Sequence, residues 1–194
     1  MFILGHVGIG SRLGALIPRV RAARAPGWLI LGTLLPDLID KPLYYGLKLA
    51  TGRDGAELGL ISCTRTVGHS ALFALLVWLA LRALGRQAQG LAILAGMATH
   101  WLLDLGGDIT GYVAQAAGLT SAPAGFSSVR AFLFPLLGAR FAVSPFHSAR
   151  EHITSLAQAY TLAGEIVGGV LLVMAWRRAH PARAAETPGD RTAS

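Results

Sequence analysis

Five of the ten acidic residues of this chain lie inside stretches that are apolar enough to cross a membrane. The stretches are GWLILGTLLPDLID, LAILAGMATHWLLDLGGD and AYTLAGEIVGGVLLVMAW, and their acidic residues are Asp37, Asp40, Asp104, Asp108 and Glu165. A carboxylate buried at membrane depth is costly unless a positive charge pairs with it. Lysine and arginine are mostly absent from these stretches while histidine is present, so a metal ion is the expected counter-charge. The pattern therefore predicts a membrane protein with a polar, metal-binding site.

The composition agrees with a chain that lies in a membrane. Of its 194 residues, 53% are hydrophobic and only 14% are charged, whereas a soluble domain carries about a quarter charged residues. This length accommodates about four or five transmembrane helices of roughly 20 residues each. We therefore predict an all-α integral membrane helical bundle, formed by residues 1–176 as a single domain. Residues 177–194 are polar and contain proline, and they are predicted to be a disordered tail.

The basic residues lie mostly in short clusters between the apolar stretches, although the net charge is +7. This distribution is typical of membrane topology and disfavours nucleic acid as a partner. The clusters fall on one side if the helices alternate, and they are RVRAAR (19–24), Arg82 with Arg86, and Arg177 with Arg178. That side is predicted to be the cytoplasm, which makes the chain a multi-pass protein of the inner membrane. The polar site is then expected nearer the outer face.

Two pairs of residues are spaced so that the members of each pair share one face of a helix. Asp37 and Asp40 are three residues apart, and His100 and Asp104 are four apart. Imidazole nitrogens and carboxylate oxygens are both common zinc ligands, so we predict that both pairs bind metal. The alternative for the first pair is a solvated helix end at Pro36, and for the second a capped helix end.

Arg65 and His69 lie four residues apart in CTRTVGHS, just before the next apolar stretch. A guanidinium pairs well with phosphate or carboxylate, so Arg65 indicates an anionic substrate. Alternatively, Arg65 pairs with Asp37 or Asp40 and no metal is needed. Glu165 is the one acidic residue of the last apolar stretch, and it is predicted to act as a base or to orient a ligand.

The order of these residues resembles the YdjM-like family, whose members are described as membrane-bound metal-dependent hydrolases. The matching elements are an early histidine, Pro-Asp-x-x-Asp, an arginine before His-Ser, and a later histidine followed by aspartate: His6, Pro36-Asp37 with Asp40, Arg65 with His69-Ser70, and His100 with Asp104. The similarity covers roughly residues 1–110, with a looser likeness at 132–141. One departure is Lys41 directly after Asp40, where a neutral residue or histidine is expected. The resemblance also suggests a distant relation to the zinc phospholipase C and P1 nuclease group, which are all-helical enzymes with clustered zinc ions.

The leading hypothesis is a membrane-bound hydrolase that uses a metal-activated water on a phosphoester or lipid-headgroup substrate. Arg65 and Glu165 are the expected catalytic residues, and the expected metal ligands are His6, Asp37, Asp40, His69, His100 and Asp104. Mixed histidine and aspartate ligation suits zinc, with manganese or iron as alternatives, and this many donors predicts one or more ions. The partners implied are membrane lipid and a small-molecule or lipid substrate. The alternatives are a metal or proton transporter and a structural membrane protein with a bound metal.

Overall fold

The computed structural model describes residues 3–22, 25–119, 125–144, 148–154 and 159–180. Every regular element within these ranges is helical, which confirms the predicted all-α class. The elements are α1 (Ile3–Gly5), a π-helical segment (His6–Gly10), α2 (Ser11–Gly14), α3 (Pro18–Ala22), α4 (Pro26–Thr51), two 3-10 helices (Gly55–Ile61 and Val67–His69), α5 (Ala71–Ala83), α6 (Gln87–Ala116), α7 (Ser127–Phe132), α8 (Ala149–Thr154) and α9 (Ala159–Ala179).

The long helices α4 and α6 form the centre of the fold and touch through glycines. A Cβ atom on Gly32 would lie 2.4 Å from the carbonyl oxygen of Ile93, and one on Gly96 would lie 2.4 Å from that of Leu29. Glycine at such positions lets two helix backbones approach closely, as in other membrane proteins. Any larger side chain here would push apart the two helices that carry the predicted ligands.

The N-terminal segment packs against α9 in a similar way. A Cβ atom on Gly8 would lie 2.1 Å from the carbonyl oxygen of Gly168. The carboxylate of Glu165 accepts hydrogen bonds from the backbone N–H groups of Leu4 and Gly5, each at 2.9 Å. N–H groups at the start of a helix have no partner within the helix, so Glu165 supplies one for two of them.

Small and polar residues fill the interior, while large apolar side chains cover much of the surface. Thr33 and Ala92 are fully buried between the helices, whereas Leu102 is 62% exposed and Val170 is 53% exposed. A soluble protein rarely exposes large contiguous apolar areas, and a lipid environment accommodates them. The distribution therefore fits a protein whose outer face contacts lipid.

One helix within the described ranges, α9, is long and apolar enough to cross a membrane by length and composition. Helix α5 is apolar but has only 13 residues. Helices α4 and α6 have 26 and 30 residues, but their aspartates, histidines and lysines lower their mean hydropathy. The predicted bundle of four or five spans is therefore not confirmed.

Two helix boundaries differ from the sequence-based expectation. Two adjacent glycines predict a helix end near Gly107, but helix α6 continues to Ala116, so Asp108 lies on the helix and not in a loop. The ring of Tyr160 packs on the two glycines at 106 and 107, and its hydroxyl donates to the carbonyl oxygen of Leu103 at 2.6 Å. Helix α9 continues to Ala179, and the rest of the predicted tail, from residue 181, lies outside the described residues.

Candidate metal site

Buried polar side chains from the π-helical segment, α4, the second 3-10 helix and α6 converge at one point in the fold. The structure places all six predicted ligands in this one cluster. They are His6, Asp37, Asp40, His69, His100 and Asp104. The three histidines are at most 1% exposed, and Asp104 is 2% exposed. Burying this many titratable groups costs free energy unless they bind one another or a ligand.

The rings of His69 and His100 meet edge to face, and their Nε2 atoms are 3.1 Å apart. Nδ1 of His69 lies 2.7 Å from Oδ2 of Asp40, and Nδ1 of His100 lies 2.8 Å from the carbonyl oxygen of Thr33. A carboxylate and a carbonyl oxygen only accept hydrogen bonds, so each Nδ1 carries a proton and donates it. In the neutral rings both Nε2 lone pairs then point towards the same place, which needs a proton or a metal ion.

Two carboxylates complete the group around these nitrogen atoms. Oδ2 of Asp104 lies 3.5 Å from Nε2 of His100 and 3.6 Å from that of His69. Oδ1 of Asp37 lies 3.6 Å from Nε2 of His69. Ligands at about 2.0–2.1 Å from a tetrahedral zinc ion are separated by roughly 3.3 Å from one another. Nε2 of His69, Nε2 of His100 and Oδ2 of Asp104 therefore have a spacing close to that of zinc ligands, and Asp37 forms a further group of possible donors with the two histidines.

His6 forms a second group with His100 and Asp104. Its ring stacks on that of His100 with centroids 3.9 Å apart, and its Nε2 lies 3.5 Å from Oδ1 of Asp104. Neither ring nitrogen of His6 has a hydrogen-bond partner within the described part of the chain, although both are buried. A buried polar atom without a partner is costly, so this ring indicates a missing ligand. The π-helical segment that carries it is a feature frequent at functional sites.

Asp40 lies behind His69, and both of its oxygen atoms are occupied. It accepts hydrogen bonds from the backbone N–H groups of Thr66 (2.6 Å), Gly68 (2.9 Å) and His69 (3.2 Å), and from Oγ1 of Thr66 (2.9 Å). It also accepts from Nδ1 of His69, which fixes the ring and makes Nε2 more basic. This geometry favours an orienting role for Asp40 over the ligand role predicted from the sequence.

Arg65 is held by side chains of α6 and α7. Its Nε lies 2.9 Å from Oδ2 of Asp104, and its Nη1 donates to Asp108 (2.9 Å), Ser127 (3.0 Å) and Ser128 (3.3 Å). Burial opposes the charge on Arg65, but Asp104 and Asp108 outweigh it and raise the pKa of the guanidinium. The partners are not the Asp37 or Asp40 considered from the sequence. Arg65 is therefore engaged in holding Asp104, which leaves less scope for the predicted contact with substrate.

The sequence analysis did not predict that Ser127 and Ser128 bind Arg65, or that Asp108 supports the cluster. Asp108 accepts from Nη1 of Arg65 through Oδ1 and from the backbone N–H of Ser128 through Oδ2, at 2.9 Å each. The available signal was the spacing of Asp104 and Asp108, which are four residues apart on α6. The glycines at 106 and 107 concealed it because they suggested a helix end.

Glu165 lies at the start of α1, where it binds the N–H groups of Leu4 and Gly5. Its contacts hold the segment that carries His6. This position favours the predicted orienting role over the role of a catalytic base.

One edge of the cluster is accessible to solvent. Asp104 is almost completely buried, whereas the side chain of Asp37 is 15% exposed and those of Lys41 and Arg65 are each 25% exposed. Lys41 Nζ lies 2.5 Å from Oδ2 of Asp37. A ligand from outside would therefore meet Asp37, Lys41 and Arg65 before it met the histidines.

These features define an all-helical membrane protein with a buried histidine and carboxylate cluster that could hold a divalent metal ion. The model of the family described as YdjM inner membrane protein matches residues 1–179. The chain belongs to this family and is thus an inner membrane protein. No curated protein and no solved structure gives a significant match. The distant relation to zinc phospholipase C and P1 nuclease accordingly stays a prediction.

Proposed function

We propose that the protein is a membrane-bound metal-dependent hydrolase, with a divalent ion held by Asp37, His69, His100 and Asp104. The observation that carries the proposal is the pair of Nε2 atoms 3.1 Å apart. Their Nδ1 protons are committed to Asp40 and to the carbonyl oxygen of Thr33. Two converging lone pairs beside two carboxylates make a donor set for a cation and a poor arrangement without one.

The charges around the cluster also favour a divalent cation. Six charged side chains are linked in it, four negative and two positive: Asp37, Asp40, Asp104, Asp108, Lys41 and Arg65. With neutral histidines, these six carry an excess of two negative charges. One divalent ion would neutralise the excess, which is why the carboxylates can be buried. The mixed nitrogen and oxygen donors suit zinc, with manganese or iron as alternatives.

In the proposed hydrolysis, the side chains around the ion would have separate roles. A bound divalent ion would polarise an ester and acidify water, which supplies a nucleophile near neutral pH. Asp40 and the Thr33 carbonyl hold the rings of His69 and His100 in one orientation. Arg65 fixes the carboxylate of Asp104. A substrate would enter at the exposed edge of the cluster. The two basic side chains at this edge, Lys41 and Arg65, favour a phosphoester, including one in a lipid headgroup.

A second ion fits beside His6. Asp104 directs Oδ1 towards His6 and Oδ2 towards His69, so it could bridge two ions. In two-metal hydrolases the ions lie about 3.5–4 Å apart and act on the attacking and leaving oxygens of one substrate. Nε2 of His6, which lies 3.5 Å from Oδ1 of Asp104, would then have an ion to bind.

The test compares the wild type with His100→Ala and with His180→Ala, which replaces an exposed histidine directly after α9. We expect roughly stoichiometric zinc, manganese or iron by elemental analysis in the wild type and the His180 variant, and loss in the His100 variant. Hydrolysis of chromogenic phosphomonoesters and phosphodiesters should follow metal content. A folded wild type without metal would refute the proposal.

A structural metal is the second candidate function, because four protein donors can fill a tetrahedral shell. Cobalt substitution separates the two. A catalytic ion with an open position should change its visible spectrum when inorganic phosphate is added, and a closed structural ion should not.

A further inference from the structure

The carboxylate of Asp37 faces two ways. Its Oδ1 lies 3.6 Å from Nε2 of His69, and its Oδ2 binds Nζ of Lys41 at 2.5 Å. We infer that Lys41 exchanges Asp37 for the anionic group of the substrate, a phosphate ester, once a metal ion takes Asp37. This inference rests on the proposed function, since it requires an ion at Asp37.

Lys41 is the basic residue at the exposed edge that can make this exchange. Arg65 is held through both Nε and Nη1 by Asp104 and Asp108, so moving it would break the support of the cluster. The lysine side chain is a compact charge on a flexible stem with three donors, so one donor can change its partner without a shift of the α4 backbone. It is also 25% exposed, at the edge where a substrate would enter.

Electrostatics links the metal to the lysine. An ion that binds Asp37 draws on the same negative charge that now attracts Lys41, and it repels the ammonium directly. The pair therefore weakens when the metal binds, and a phosphate offers the lysine a replacement partner. Lys41 should then oppose the metal and favour the anion.

The ordinary reading of this contact is a helix-surface ion pair between residues four apart. Such a pair has a small effect on stability and no particular effect on ligands. The two interpretations predict different effects of Lys41 on metal binding and on anion binding. Removing the charge of Lys41 should strengthen metal binding and weaken anion binding, whereas loss of a merely structural pair would weaken both or neither.

The experiment uses the full chain in detergent and compares Lys41→Gln and Lys41→Arg with wild type. Lys48→Gln is the matched control, because Lys48 lies on the same helix and pairs with Asp54 away from the cluster. Zinc affinity is measured by chelator competition, and inorganic phosphate affinity by calorimetry on the zinc-loaded protein. We expect Lys41→Gln to bind zinc about fivefold more tightly and phosphate about tenfold more weakly. Lys41→Arg and Lys48→Gln should stay near wild type.

A second arm replaces inorganic phosphate with phosphatidic acid in nanodiscs. Wild type should bind at least one of the two probes, and Lys41→Gln should lose whichever is bound, which identifies a soluble or a lipid source. Phosphate and phosphatidic acid binding that Lys41→Gln leaves unchanged, with zinc bound, would overturn the inference and leave the metal site intact. A wild type that binds zinc but neither probe would also overturn it. A wild type that binds no zinc would overturn the proposed function as well.

Discussion

The orientation of each imidazole ring decides what the cluster can bind. His69 and His100 direct Nε2 inward because an acceptor holds the proton on the opposite nitrogen. The sequence alone does not identify Asp40 or the carbonyl oxygen of Thr33 as the acceptor of this proton. Asp40 reaches His69 only because the chain turns back at Thr66, and Thr33 acts through its carbonyl oxygen, which every residue has. The helix-face spacing predicted the residue types in the cluster, while the long-range contacts assign their roles.

The substitution Asp40→Asn tests the orienting role. The amide nitrogen of asparagine would face at least one backbone N–H that now donates to Asp40, and its neutral oxygen would hold the proton on Nδ1 of His69 less strongly than a carboxylate does. We expect metal affinity to fall about 10–100-fold, as for other residues that support a metal-binding histidine. Chelator competition measures this effect.

The control for this variant is Asp54→Asn, because Asp54 binds Tyr44 and Lys48 and lies outside the cluster. Equal losses in both variants would show that the effect is general destabilisation. An unchanged affinity in Asp40→Asn would remove the orienting role.

The substitution His6→Phe tests whether this ring is present for its nitrogen atoms. Phenylalanine keeps the stacking on His100 and removes two buried nitrogen atoms that have no partner in the described chain. We expect the metal-free protein to be as stable as wild type or up to about 1 kcal/mol more stable. The metal-loaded protein should lose part of its ion content.

Thermal unfolding of the metal-free and loaded forms, with elemental analysis, gives both quantities. A metal-free His6→Phe protein that unfolds well below wild type would mean that His6 is a packing residue.

At the scale of elements, short segments are fastened to the long helices by single acidic side chains. Asp108 on α6 binds the N–H of Ser128 in α7, and Glu165 on α9 binds those of Leu4 and Gly5 in α1. Local propensity predicts none of these contacts, since they join residues far apart in sequence. The same applies to the continuation of α6 past two glycines, which the packing of Tyr160 stabilises.

The substitution Glu165→Ala should loosen the N-terminal segment without unfolding α9. Two backbone N–H groups would lose their acceptor. The hydrogen bond of Gly5 is partly buried and costs about 1–3 kcal/mol to lose, whereas that of Leu4 is exposed and costs less. We expect faster hydrogen exchange over residues 3–10 and weaker metal binding through His6. Hydrogen exchange with mass spectrometry measures this, and Glu151→Ala, at an exposed position in α8, is the control. Unchanged exchange in residues 3–10 would exclude the fastening role.

On the scale of the whole molecule, the all-α class could be predicted from composition, and the inner membrane location follows from the family. The number of spans could not. Hydropathy averages over all faces of a helix, and in α4 and α6 the buried face carries the aspartates and histidines. The outer faces are apolar, with Leu38 53% exposed and Leu102 62% exposed. A polar site in the interior thus hides the apolar exterior from a sequence average.

The glycine contact between α4 and α6 bears on the size of the ion that the cluster can bind. Gly32 and Gly96 bring the two backbones together with no side chain between them. The separation of the two backbones that carry Asp37 on α4 and His100 on α6 is therefore set by direct contact at these glycines. Calcium needs oxygen ligands at about 2.3–2.6 Å, so admitting it would require the ligand side chains to move outward from two backbones whose separation is fixed. Selection by size would then be a property of the helix pair, in addition to the chemistry of the ligands.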